Sequence, residues 1–311
     1  MSLSDHVRTL GRGPGRSRSL TQDEAQDAMR LMLDGAAPEA TGALLMLLRM
    51  KGETAAEIAG LAGAACAALP QMPPVDLDWP SYAAGRTRGQ PWFLLSARLV
   101  AQAGHRVLIH GWNGSDPKVR AGLAAAGIAV ARTPAEAADL LDRDRIAYMP
   151  LEGLHPALFA LLSLRDVLGL RSCINTVCRM LNPGRAAASV QGVFHPSYRL
   201  LQADAARLMG WQDLSVIKGG GGEFERYPAK AIAAFGLRDG TPWETTLPAR
   251  IDEARRLSDT AALPLDRQTA TAFDVETVLG TAELALNILG RTQPRDLASE
   301  LWARGARPHA A

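Results

Sequence analysis

No apolar run in this chain approaches the roughly 20 residues that a helix needs to cross a bilayer, so no membrane span is expected. Met1 to Leu20 is polar and carries arginines, without the apolar centre of a secretory signal. Cysteine is scarce. Cys66, Cys173 and Cys178 form neither a CxxC pair nor an even framework, which argues against a disulfide scaffold or a thiolate metal site and for reduced thiols in a cytoplasmic protein. Internal repeats and low-complexity tracts are absent. Net charge is also nearly absent, with 34 Lys+Arg against 32 Asp+Glu. The most informative absence is local: Trp79 to Ser115 contains no acidic residue but holds Arg86, Arg88, Arg98 and Arg106. Val167 to Ala203 repeats the pattern with Arg171, Arg179, Arg185 and Arg199.

Unopposed arginines beside glycine turns suit phosphate-bearing partners, because the planar guanidinium matches phosphate oxygens and a groove weakens screening by water. The 311 residues, 47% hydrophobic and 21% charged, suffice for one large domain or for a large and a small one. Thr21-Gln22-Asp23-Glu24 and Thr54-Ala55-Ala56-Glu57 read as capping boxes, and Pro38 suits the first turn of a helix that Gly52 ends. Residues 1–73 are therefore expected to form a helical domain. It is entered through the basic loop Gly11 to Arg18 and left at Pro70, Pro73 and Pro74. Beyond it, residues 74–311 alternate between helices (Pro91–Ala103, Val119–Ala126, and one capped by Thr133) and strands (Val107–His110, Ile128–Val130, Ile146–Met149, Leu214–Lys218). The fold class is α/β, a small all-helical domain plus a larger domain with a mostly parallel sheet covered by helices. Ligands of such sheets bind outside the carboxyl ends of strands, where His110-Gly111, Met149-Pro150 and Lys218-Gly219 fall.

Each motif has a functional and a bland reading. Gly85-Arg86-Thr87-Arg88-Gly89 before a helix offers close backbone approach and two cations to an anion, or is a solvated turn. His110 is an acid–base candidate or a hydrogen-bonded structural residue, and Trp112 a stacking platform or packing. Lys218-Gly219-Gly220-Gly221-Gly222-Glu223-Phe224-Glu225-Arg226 is the sharpest signal. Four glycines after a buried strand imply unusual backbone angles or close approach, read here as a partner-contacting loop. Glu223 and Glu225 are either magnesium ligands or solvated acids.

Together the segments resemble the anthranilate phosphoribosyltransferase family, related in fold to pyrimidine nucleoside phosphorylases. Leu20 to Ala25, Leu47 to Thr54 and Glu57 to Gly60 are similar to its helical domain. His110-Gly111, His155-Pro156-Ala157, Arg165 to Arg171, Asn182-Pro183 and Gln191 to Phe194 follow in family order. The resemblance implies a substrate cleft containing Gly85, Gly89, His110, Gly111, Asn113, Arg165, Asn175, Gly219 and Gly222. It also implies that helices around 152–185 complete the helical domain, which forms a homodimer contact. Three departures stand out. The family's Gly-Thr-Gly-Gly-Asp loop becomes Gly85 to Gly89, phenylalanine enters its Asp-Glu pair as Gly222-Glu223-Phe224-Glu225, and Lys218 replaces a histidine. They speak against the family's own activity.

The departures resemble a YbiB-type branch that binds nucleic acid with little sequence preference. On that expectation no cofactor is required, single- or double-stranded nucleic acid is the partner, and the phosphate contacts are Arg12, Arg16, Arg18, Arg49, Lys51, Arg86, Arg88, Arg171, Arg185, Lys218 and Arg226, with Trp112 stacking. The alternative is a phosphoribosyltransferase with an unidentified acceptor. There Arg165 meets the acceptor, His110 and Asn113 line the ribose side, and Glu225 keeps part of a magnesium site. A third possibility is a scaffold that binds a protein through its helices.

Overall fold

The computed structural model describes residues 1–83, 89–114, 117–195, 197–253, 255 and 265–305. Four helices open the chain: α1 (Leu3–Gly11), α2 (Gln22–Leu33), α3 (Pro38–Lys51) and α4 (Ala55–Ala67). Both expected capping boxes form. The Thr21 and Thr54 hydroxyls accept from the amides of Glu24 and Glu57, whose carboxylates accept from the amides of Thr21 and Thr54. Helix α1 was not expected. Its signal was a third capping box, Ser2 with Asp5, ahead of Leu3 and Leu10, which it buries.

The α/β part contributes β1 (Leu77–Ser81), α5 (Phe93–Gln102), β2 (Val107–Gly111), α6 (Lys118–Ala125), α7 (Pro134–Asp144) and β3 (Ile146–Pro150). A helical excursion follows, with α8 (Leu151–Leu154), α9 (Pro156–Ser163), α10 (Arg165–Leu168) and α11 (Ile174–Arg179). The chain then returns through β4 (Ala188–Val193), α12 (Tyr198–Leu208), β5 (Asp213–Lys218), β6 (Ile232–Arg238), β7 (Thr241–Leu247), α13 (Ala272–Ile288) and α14 (Pro294–Arg304). The sheet order is β3-β2-β1-β4-β5-β6-β7. Its first five strands are parallel, and β6 and β7 are antiparallel. The expected strand at Ile128–Val130 is only a bridge from Val130 to Tyr148, since the Gly127 turn and the Thr133 cap leave too few residues for a ladder.

Two apolar clusters sandwich the sheet. Leu44, Leu45, Leu48, Ile58 and Leu61 pack with Ile174, Val177, Leu214, Val216 and Leu237, so α9 and α11 share a core with the opening helices and with one sheet face. On the other face Trp79, Phe93, Phe224, Val278 and Ala282 bring α5 and α13 against the strands. Fully burying such side chains contributes about 1.5–3 kcal/mol each. Strand order reverses between β1 and β4, which pair only at Leu77–Ala188 and Asp78–Ser189. The carboxyl ends of β1 and β4 therefore flank the switch point where ligands of doubly wound sheets bind.

Candidate phosphate-binding cleft

Two neighbouring features lie at this end of the sheet. One is a cleft of about 570 Å³ lined by Arg49 at the end of α3, by Arg165, Asp166, Gly169, Leu170 and Arg171, by Asn175, Thr176 and Arg179 of α11, and by Val193, Phe194, His195, Tyr198 and Gln202. Among the described residues four arginines thus face one lining carboxylate, Asp166, which lies 3.6 Å from Arg165 Nε and is mostly exposed. Partial burial, and then the neighbouring charges of Arg165 and Arg49, hold Arg171 below its ordinary pKa. Arg165 lies 5.6 Å over the Trp112 ring, which meets Phe159 edge-on at 5.9 Å. Arg179 is structural. It donates to Tyr82 O (3.1 Å), Gly192 O (3.1 Å) and Asn175 Oδ1 (2.5 Å), tying β1 to β4, and burial pushes its pKa down.

The second feature is the glycine turn after β5. Gly221 and Gly222 have φ of 64° and 93°, which L side chains rarely adopt. The turn folds residues 223–225 inward rather than toward a partner. Phe224 is fully buried, edge-on to Trp79 at 5.6 Å. Glu223 Oε1 accepts from Ser81 Oγ, Ala83 N and Asn113 Nδ2, each at 3.0 Å, and Glu225 Oε2 accepts from Phe93 N at 3.1 Å. Magnesium wants oxygen ligands free to face phosphate. Here both carboxylates are buried, each with one oxygen engaged by the protein's own donors, and Phe224 fills the core between them. Among the described residues no group of three or more His, Cys, Asp or Glu could hold a metal ion.

Several expected contacts are corrected. Arg226 is fully buried, donating to Pro248 O (2.8 Å) and Glu283 (3.4 Å), so it anchors α13 and cannot reach a phosphate. Arg18 forms a double hydrogen bond to Glu24 (2.6 Å each), and Lys51 bonds the buried Glu57 (2.8 Å). Arg185 precedes β4 and so lies at the amino ends of the strands, away from the cleft. His110 does not line the cleft. It is fully buried, with Tyr82 Oη at 2.8 Å from Nδ1 and Asp78 Oδ1 at 3.1 Å from Nε2. Gly111 and Gly219 serve close packing, since a Cβ there would meet Ser81 O at 2.0 Å and Glu223 O at 1.5 Å. Lys218, Arg12 and Arg16 are exposed, Lys218 at the carboxyl end of β5. Gly85, Arg86 and Arg88 lie outside the described residues, whereas Gly89 is described with φ 71°. Of the expected residues, Arg49, Arg165, Arg171 and Asn175 come together in one cleft. Sequence reasoning missed Tyr198 and the inward role of Glu223, for which three donor positions distant in sequence gave no local sign.

Residues 4–68 match the helical bundle domain of a glycosyl transferase family, and residues 94–250 match its a/b domain. This chain belongs to that glycosyl transferase family. Within it, the chain is 33% identical over 237 residues to an anthranilate phosphoribosyltransferase of Halobacterium salinarum, covering 73% of this chain and 68% of the relative. It is 32% identical over 210 residues to that of Caldivirga maquilingensis, spanning 62% of that relative's length, and 32% identical over 230 residues to that of a Roseiflexus species, spanning 65%. Among solved folds, the Thermus thermophilus anthranilate phosphoribosyltransferase superposes with a TM-score of 0.80 at 23% identity, covering 97% of this chain and 95% of that one. The Saccharomyces cerevisiae enzyme in complex with PRPP and Mg gives 0.76 at 15% identity, covering 97% and 94%. At these identities the two structures speak for the fold alone.

Proposed function

We propose that this family member is a phosphoribosyltransferase-type protein whose inter-helical cleft takes the phosphates of phosphoribosyl pyrophosphate, with an acceptor yet to be identified. The observation that carries the reading is the cleft itself, with Arg49, Arg165 and Arg171 gathered where carboxylates are scarce. The named relatives support the reaction class. The arginines, not the buried glutamates, neutralise the phosphates, so no step is assigned to a metal here. Arg165, above Trp112, is the group best set to meet an anionic or planar acceptor. Release of pyrophosphate from phosphoribosyl pyrophosphate, screened over aromatic and carboxylate acceptors, tests this. The expected result is turnover lost in Arg165→Met, and absence of turnover with every acceptor class counts against transfer.

A second reading has its own support. Engaged glutamates and a cationic cleft equally suit binding of a nucleic-acid backbone without transfer, as in the YbiB-type branch. Arg12, Arg16 and Lys218 are exposed enough to join such a track. An oligonucleotide affinity that falls steeply with salt supports this reading, and salt-independent binding removes it. Self-association through the helical unit belongs to both readings, supported by the exposed apolar Met50 (82%), Val167 (82%) and Leu170 (48%). Sedimentation of wild type against Met50→Glu checks it, with dissociation expected in the variant. A cytoplasmic setting rests on the three free thiols.

A further inference from the structure

The crevice at the switch point is already filled. Beyond Asp78 and Ser189 the ladder between β1 and β4 stops, and the 223–225 segment takes the space. A Cβ on Gly192 of β4 would lie 2.0 Å from Glu223 C, and one on Gly219 would lie 1.5 Å from Glu223 O. Into this crevice converge a hydroxyl (Ser81), a main-chain amide (Ala83) and a side-chain amide (Asn113), each 3.0 Å from a single carboxylate oxygen. Three donors aimed at one buried oxygen form a nest for an oxyanion, and such a nest is stable without a ligand only if something anionic sits in it. Below it Phe224 is locked against Trp79, which holds the carboxylate in place.

We propose that Glu223 is a built-in occupant of an oxyanion nest and acts as a specificity-determining residue. It keeps phosphate groups out of the switch-point crevice and leaves them to the neighbouring arginine cleft. The inference does not depend on whether the chain transfers a pentosyl group, because it concerns only which of two adjacent sites is open to anions. Removing the side chain should leave a small buried site for a carboxylate or phosphate-like anion, lined by donors that have lost their acceptor.

The test compares wild type with Glu223→Ala, Glu223→Ser and Glu223→Gln, using formate and inorganic phosphate as probes and both thermal midpoint and calorimetric affinity as readouts. Glu223→Ala is expected to melt lower than wild type and to recover its midpoint when formate is added, while wild type barely responds. Its affinity for phosphate should exceed that of wild type by at least about tenfold, which corresponds to roughly 1.4 kcal/mol. Equal responses of wild type and variant to both anions would overturn the proposal. Should Glu223→Ala fail to fold, Glu223→Ser decides. It vacates the crevice while keeping a small polar group, so an increased phosphate affinity is expected, and an unchanged one overturns the inference. Glu223→Gln, which keeps the nest filled, is expected to gain far less, and a gain equal to that of the vacated variant overturns it as well.

Discussion

Replacing Arg171 by methionine separates a binding role from a structural one, because the first moves affinity and the second moves stability. Methionine keeps the apolar stem and removes the guanidinium. In the folded protein that guanidinium is held below its ordinary pKa by burial and by the charges of Arg165 and Arg49. Removing it relieves like-charge repulsion but also gives up the contact that the guanidinium makes within the protein, so folding stability should change by no more than about 1 kcal/mol. A charge-assisted hydrogen bond to a bound phosphate is worth about 1.5–3 kcal/mol. The affinity for phosphoribosyl pyrophosphate should therefore fall about 10- to 150-fold. Calorimetric titration reads the affinity and urea unfolding reads the stability. The reasoning fails if affinity is unchanged, or if stability drops by more than about 2 kcal/mol with affinity lost only in proportion to unfolding.

Other consequences follow from the same geometry. Phe224→Ala should cost about 3–5 kcal/mol in urea unfolding, since the ring is fully buried against Trp79; a loss below about 1 kcal/mol would mean that the turn is not anchored there. His155 caps α9 by accepting from Leu158 N, and burial holds its folded pKa below the ordinary value of 6.5. A depressed histidine contributes stability that is complete above pH 6.5 and is lost as pH falls toward the folded value, so the melting midpoint should decline from pH 7 to pH 5. His155→Asn, which retains a capping oxygen, should flatten that decline. Arg18 holds the Glu24 carboxyl down to about 2, so the stability of that pair is present above the ordinary value of 4.5 and is lost between there and pH 2; Arg18→Met should remove this part of the acid transition. If nucleic acid is the ligand, each lost phosphate contact should lower the log–log salt slope by about one, and Arg171→Met against Arg226→Met tells cleft from anchor.

Much of the scaffold could be read locally. The Thr21–Glu24 and Thr54–Glu57 boxes, Pro38 at a helix start and Gly52 at its end are contained within four or five residues, and each forms as read. The acid-free stretch from Val167 to Ala203 supplies Arg171 and Arg179 to the cleft, whereas Arg165 and Arg49 come from outside it and Asp166 lines the same cleft. What sequence could not give was long-range pairing. Glu283 lies 57 positions from Arg226, and it turns an apparent phosphate contact into a core anchor. Glu223 is 140 positions from Ala83, so an acid that looked like a metal ligand instead fills a nest built by another strand. Of the two readings open for His110, the structure bears the hydrogen-bonded one, for a related reason. The residue at a strand end faces either the cleft or the sheet interior, and only the positions of Tyr82 and Asp78 decide between them.

Hydrogen exchange of the wild-type protein with and without phosphoribosyl pyrophosphate addresses the division between the two anion sites most directly. Added protection is expected across residues 165–179 and 193–198, around the arginines, with no change at 81–83 or 223–225. Protection appearing instead at 81–83 and 223–225, with the arginine segments untouched, would contradict the account.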